Sequence, residues 1–265
     1  MKIQILSKTD SEISFLVEGI NAEFANALRR IMMSEIPTMA IEWVDFKKND
    51  SALTDEVLAN RLGQIPLTFD KRAYNLPEEC KCGGKGCKRC QTELVLKKKG
   101  PCRVYSGDLR SRDRDVMPVF DKIPIVDLFE EQELELEAIA QLGIGRTHAK
   151  WQAVVVGYKN LPNIIINSKK CKGETCKQCV ERCVKKVLKI EKGRIVIKDP
   201  TECSLCMQCV DICPEEAIKV EDVEDCFIFN VEKASGLSPE EVVLQASEVL
   251  EEKLNEFNKN LRKLK

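Results

Sequence analysis

Apolar positions along this chain follow two rhythms. Ile3 and Ile5 alternate with polar neighbours, as do Ile13, Phe15 and Val17, which predicts two short strands before Gly19. From Asn21 the period changes. Phe24, Leu28, Ile31 and Met32 fall at i, i+4, i+7 and i+8, one apolar stripe on a helix. Asn21 supplies an N-cap and Glu23 puts negative charge in the first turn, where the helix dipole favours it. Pro37 drives Ile36 out of the α region and ends the helix. Arg29 and Arg30 point away from the stripe. Taken alone, the pattern is that of an amphipathic core helix.

Strand-like texture resumes at Met39–Phe46. A short helix is predicted over Thr54–Leu62, and strands at Leu94–Leu96, Cys102–Tyr105, Ile123–Leu128, Leu134–Ala140 and Trp151–Tyr158. Cys80–Cys90 is rich in cysteine and glycine and builds no core. After residue 222 the opening texture returns, with Phe227, Phe229 and Val231 alternating. A marked helix start follows: Ser238 as N-cap, Pro239 at N1, Glu241 closing a capping box, and Leu237 with Val242 as a hydrophobic staple. Val243, Ala246, Leu250, Leu254, Phe257, Leu261 and Leu264 then share one face. A stripe this long suits either a terminal core helix or a helix–helix interface with a partner.

Composition narrows the function classes. The 265 residues carry 42 basic and 43 acidic side chains, a net charge of −1 that gives no general attraction to nucleic acid, so no direct DNA binding is expected. No run approaches a membrane span, and no signal peptide is visible at the start, so the cytoplasm is the expected compartment. There is no dinucleotide-binding glycine motif, phosphate loop or nucleophile elbow, and no aspartate-rich Mg²⁺ loop. His148, the single histidine, is expected to be structural. Glu130–Glu137 is expected to be a solvated face.

The 14 cysteines change the picture most, because in clusters they point to metal. Cys203, Cys206, Cys209 and Cys213-Pro214 give C-x2-C-x2-C-x3-C-P, the run that binds a 4Fe–4S cluster in bacterial ferredoxins. Cys176-x2-Cys179-Val180-x2-Cys183 repeats Cys206-x2-Cys209-Val210-x2-Cys213 at an offset of 30 residues. In two-cluster ferredoxins the fourth cysteine crosses to the other cluster. Cys203, Cys206 and Cys209 are therefore expected to share one cluster with Cys183, as 4Fe–4S, or 3Fe–4S if the fourth ligand is lost. Cys176, Cys179 and Cys213 would form a second set. That set is incomplete in register, because Gly173 stands where Cys203 stands in the other half and Cys171 lies two residues too early. One cluster is expected rather than two, with a second cluster or a disulfide left open there. Cys80, Cys82, Cys87 and Cys90 form a candidate structural Zn²⁺ site.

Three stretches carry a family resemblance. Ala27-Leu28-Arg29-Arg30-Ile31-Met32-Met33-Ser34-Glu35-Ile36-Pro37 resembles the first helix of the α-type assembly subunits of cellular RNA polymerases, in their archaeal form. Arg61-Leu62-Gly63-Gln64-Ile65-Pro66-Leu67 resembles a signature loop of that family. Leu142-Gly143-Ile144-Gly145-Arg146-Thr147-His148-Ala149-Lys150-Trp151 resembles another, although Gln152-Ala153 follows where relatives carry a proline. The resemblance covers most of the chain. It implies an α+β fold with a discontinuous dimerisation domain at 1–40 and 223–265. An inserted α+β domain at 41–167, with a zinc-binding loop, and a ferredoxin-like iron–sulfur domain at 168–222 would interrupt it. It further implies a subunit without catalytic residues, paired with a small α-like subunit of the L type and docking the large RNA polymerase subunits. Phe24, Leu28, Ile31 and Met32 would bury the dimer interface with Leu250, Leu254, Phe257 and Leu261. Arg29 and Arg30 would face the large subunits. The rival class is an electron-transfer ferredoxin fused to unrelated domains, which leaves the first helix and the long C-terminal stripe unexplained.

Overall fold

The computed structural model describes residues 1–263. The chain opens with β1 (Lys2–Lys8), β2 (Glu12–Glu18), α1 (Ala22–Ser34), β3 (Thr38–Asn49) and α2 (Asp55–Gly63). It continues through β4 (Gln91–Lys99), β5 (Cys102–Tyr105), β6 (Arg110–Ser111), β7 (Pro124–Leu128), β8 (Glu133–Gly143) and β9 (Val154–Ile166). A region of short elements follows: α3 (Gln178–Arg182), β10 (Leu188–Glu191), β11 (Arg194–Ile197) and α4 (Gln208–Asp211). The chain closes with β12 (Ile218–Lys233) and α5 (Pro239–Lys263). The fold is α+β. Leu264, the last position of the expected C-terminal stripe, lies outside the described residues. Among the described residues no helix is long and apolar enough to cross a membrane.

Two compact units share the chain discontinuously. The first comprises Met1–Lys8, Ile13–Ala27 and Gly157–Asn230. It contains a four-stranded sheet in the order β1-β2-β12-β9 and the cysteine-rich lobe with its β10–β11 hairpin. Phe15 and Phe229 stack in it with ring centroids 5.2 Å apart, and Tyr158 packs edge-on against Phe227. Residue 167, the expected end of the insert, falls inside this unit because β9 lies beside β12 in the sheet.

The second unit comprises Thr9–Glu12, Leu28–Val156 and the chain from Val231 onward. Its sheet runs β3-β8-β4-β6, beside a two-stranded β5–β7 ribbon. The sequence of β8, ELELEAIAQLG, explains its central place. Leu134, Leu136, Ala138, Ala140 and Leu142 are all buried, while the intervening glutamates face outward. Glu133 meets Lys48 at 3.1 Å and Glu135 meets Lys97 at 2.5 Å, so the acidic run forms cross-strand pairs rather than a bare solvated face. Leu58 and Leu62 of α2 and Ile65 and Leu67 beyond it complete this core.

The ends of the two long helices form as their local sequence dictates. The Phe24 amide donates to Asn21 Oδ1 at 2.9 Å at the start of α1. At α5 the Glu241 amide donates to Ser238 Oγ at 3.3 Å and the Ser238 amide donates to Glu241 Oε2 at 2.9 Å. The C-terminus of α1 is closed by the glycine-rich turn ahead of Trp151, where the Arg146 amide donates to the Ser34 carbonyl at 2.9 Å. A Cβ on Gly145 would lie 2.2 Å from the Met33 carbonyl oxygen. Gly145→Ala is therefore expected to cost about 2 kcal/mol through overpacking, seen as a lowered calorimetric Tm. Gly157→Ala, with nothing within 4 Å of the added atom, is the control expected to change little. The turn followed by Gln152-Ala153 resolves into a single 3-10 turn over Ala149–Trp151, whose Lys150 amide donates to His148 Nδ1.

Candidate functional site

Three groups of cysteines and one helix face hold the candidate chemistry. The first group is the knuckle between α2 and β4. The Gly83 amide donates to the Cys80 carbonyl and the Gln91 amide to the Cys87 carbonyl, folding the segment into two tight turns. These bring four sulfurs together: Cys80–Cys82 at 3.5 Å, Cys80–Cys87 at 3.6 Å, Cys82–Cys90 at 3.6 Å and Cys87–Cys90 at 3.8 Å. A tetrahedron of thiolates about 2.3 Å from one Zn²⁺ has edges of about 3.8 Å. The four side chains fit that ion. The hydrogen bond between Cys82 and Cys80 pulls Cys82 down to about 6, whereas burial pushes Cys90 up to about 12. A donor set of this kind becomes fully deprotonated only around a cation. Among the described residues, no other group of three or more such ligand atoms lies within 4.8 Å of one another.

The remaining cysteines of the lobe divide into two sets. Cys183, Cys203, Cys206 and Cys209 line one pocket with Ile164, Val187 and Leu188. Cys171, Cys176, Cys179 and Cys213 line another with Ile195 and Ile218. Cys183 and Cys213 thus each join the cysteines of the opposite half. Backbone amides turn toward the sulfurs at equivalent places, Val187 to Cys183 at 3.3 Å and Ala217 to Cys213 at 3.2 Å. The repeat extends to the backbone: Lys177 and Met207, and Lys186 and Glu216, take left-handed conformations 30 residues apart.

Cys171 is the residue that spacing passed over. The register position is closed to cysteine, since Gly173 has φ +56° and a Cβ there would lie 2.2 Å from the Gly193 carbonyl oxygen. A 3-10 turn over Gly173–Thr175 takes up the extra two residues, and the Gly173 amide donates to Cys171 Sγ at 3.4 Å. The glycine in place of cysteine, with a cysteine two positions earlier, was the available signal. Burial pushes Cys179 up to about 11, and the charges of Cys171, Cys213 and Cys176 add to it. Burial likewise raises Cys209, with Cys203, Cys183 and Cys206 around it. All 14 cysteines are unpaired in the structure.

The apolar face of α1 differs from expectation. Leu28, Ile31 and Met32 are 7%, 6% and 0% exposed within the single chain, so they belong to its own core. Only Phe24 of the four, 37% exposed, stays at the surface. Arg30 is exposed, and Arg29, half-buried, donates to Met33 Sδ. On α5, Val242 and Ala246 are buried and Leu250 is half-buried, but every described residue from 251 to 263 is exposed. Leu254, Phe257 and Leu261 are 55%, 61% and 46% exposed on the same face. Lys253 pairs with Glu35 at 2.6 Å, fixing the helix just before it leaves its core.

Known proteins match this arrangement along nearly its whole length. The family described as the RNA polymerase Rpb3/Rpb11 dimerisation domain matches residues 14–254. The DNA-directed RNA polymerase subunit Rpo3 of Methanothermobacter thermautotrophicus is 44% identical over 257 residues, 96% of each chain. That of Archaeoglobus fulgidus is 41% identical, covering 99% of this chain and 98% of its own. That of Thermococcus kodakarensis is 38% identical, covering 100% and 99%.

Proposed function

Because the chain belongs to the RNA polymerase Rpb3/Rpb11 dimerisation family, we propose that it acts in transcription as a non-catalytic assembly subunit of DNA-directed RNA polymerase, the archaeal D type. It pairs with a small α-like subunit of the L type, and the pair carries the large catalytic subunits. The observation that carries this reading is the second half of α5, where Leu254, Phe257 and Leu261 leave an apolar face exposed among the described residues. An exposed row of Leu254, Phe257 and Leu261 suits a helix-on-helix contact. In this reading the exposed Arg30 faces the large subunits.

The Cys80–Cys90 knuckle holds one structural Zn²⁺ in this reading, supported by its sulfur spacing. Each set in the lobe holds an iron–sulfur cluster of the 4Fe–4S type. Their sulfurs spread wider than one Zn²⁺ allows, in pockets with apolar walls and amides aimed at sulfur. Cys171 supplies the fourth thiolate of the second. When bound, these clusters supply cross-linking to a lobe with little core of its own.

Anaerobic affinity purification of the tagged chain from its native cell tests the proposal. Two very large polymerase subunits and a small α-like protein are expected in near-equal amounts, with about eight iron atoms per chain where one cluster alone, the expectation from sequence, would give about four. Recovery of the chain alone, or with redox enzymes, would sink the assembly reading.

A further inference from the structure

The two thiol sets of the lobe are not electrostatically alike. Lys159, on β9, reaches toward the first set and donates from Nζ to the Cys203 carbonyl oxygen at 2.8 Å. It is only partly exposed, and burial opposes its charged form while Glu202 and Cys203 favour it. Among the described residues Lys159 forms no ion pair. Asp199 and Glu202 act on it from a distance, and the Asp199 carboxylate is committed to the amide and hydroxyl of Thr201. A second lysine, Lys185, lines both the first thiol pocket and the polar cavity that Lys159 borders. The second set has a lysine too, but Lys172, more than half exposed, is paired with Glu215 at 2.5 Å. Its charge is thus neutralised where the charge of Lys159 is not.

We propose that Lys159 is a positioning residue that makes the Cys183–Cys203–Cys206–Cys209 site the more easily reduced of the two, by holding an unpaired cation on the backbone of one ligand. The inference rests on the reading that this site holds an iron–sulfur cluster. Reduction adds one electron, taken from an external reductant such as dithionite, and raises the negative charge of the site by one; no bond breaks and no proton moves. A cation fixed in a partly dry setting favours the more negative form, and distant charges in water do not.

The test uses the full-length chain with its iron centres reconstituted anaerobically. Iron and sulfide are assayed first, and electron paramagnetic resonance then follows samples poised at a series of potentials. Lys159→Gln keeps a donor for the Cys203 carbonyl but removes the charge. Lys159→Arg keeps the charge. The wild type is expected to show two midpoints. The Gln variant should lower the higher one by about 59 mV, a tenfold loss in the reduction equilibrium constant, and leave the lower one in place. The Arg variant should leave both near their wild-type values. An intact Gln variant with unmoved midpoints would overturn the role of Lys159 while leaving the cluster reading standing. So would loss of the higher-potential signal in the Arg variant, which would make the role steric. Absence of iron and sulfide from the reconstituted wild type would overturn the cluster reading itself, and this inference with it.

Discussion

A chain carrying Leu254→Asp and Phe257→Asp is expected to lose its small α-like partner while keeping its own fold. Both side chains are more than half exposed, on a part of α5 that makes no contribution to the core of its own unit. Their replacement therefore costs the isolated chain little. At a partner's surface each would bury an apolar side chain worth about 1.5–3 kcal/mol. Losing both removes roughly 3–6 kcal/mol, about two to four powers of ten in Kd. Carboxylates placed against an apolar face add a desolvation penalty in the same direction. The measurement is co-expression with the small subunit followed by size-exclusion chromatography, with circular dichroism of the free chain as control. Met32→Asp distinguishes a surface effect from a core effect, since Met32 is fully buried and that variant should lower stability as well as binding. Retained pairing by the double α5 variant would move the interface elsewhere.

The second large effect is expected at the lobe. With Cys179 and Cys209 both changed to serine, the amides of residues 168–217 should lose protection from hydrogen exchange, while those of β3, β4 and β8 keep theirs. The lobe core consists of Ile164, Cys179, Val187, Leu188, Ile195, Ile218 and Val220. An apolar core this small rarely leaves more than about 3–5 kcal/mol of net stability once chain ordering is counted. Binding at the thiolates adds to that narrow margin, so metal affinity and folding are linked here. The second unit owes its stability to the large β3–β8–β4 core and should not notice. Equal protection of the lobe in the variant and the wild type would make the thiols dispensable for its fold.

What could be foreseen divides along the range of the forces involved. The caps at Asn21 and at Ser238 with Glu241 were legible, because they are decided within four residues. So was the strand β8. The fate of the α1 stripe was not legible. A period of 3.6 residues shows that Leu28, Ile31 and Met32 will be buried, but not whether their own chain or another covers them. Nor was the place of Cys171, because counting assumes that each half of a repeat keeps its length. The two-residue excess is absorbed in a 3-10 turn forced by the approach of Gly173 to the Gly193 carbonyl.

The order of strands in the first sheet sets a timetable for biosynthesis. β1 and β2 leave the ribosome first, yet their sheet partner β12 is more than 200 residues away in the chain. At about 5–20 residues per second, the opening hairpin waits roughly 10–40 s for the strand that completes its sheet. During that interval the face bearing Phe15 lacks the Phe229 ring that covers it. The lobe cysteines emerge within the same interval, all of them before β12. The lobe thiols are therefore present on the nascent chain before the sheet can close, and until it closes the hairpin stays uncovered and open to capture by chaperones.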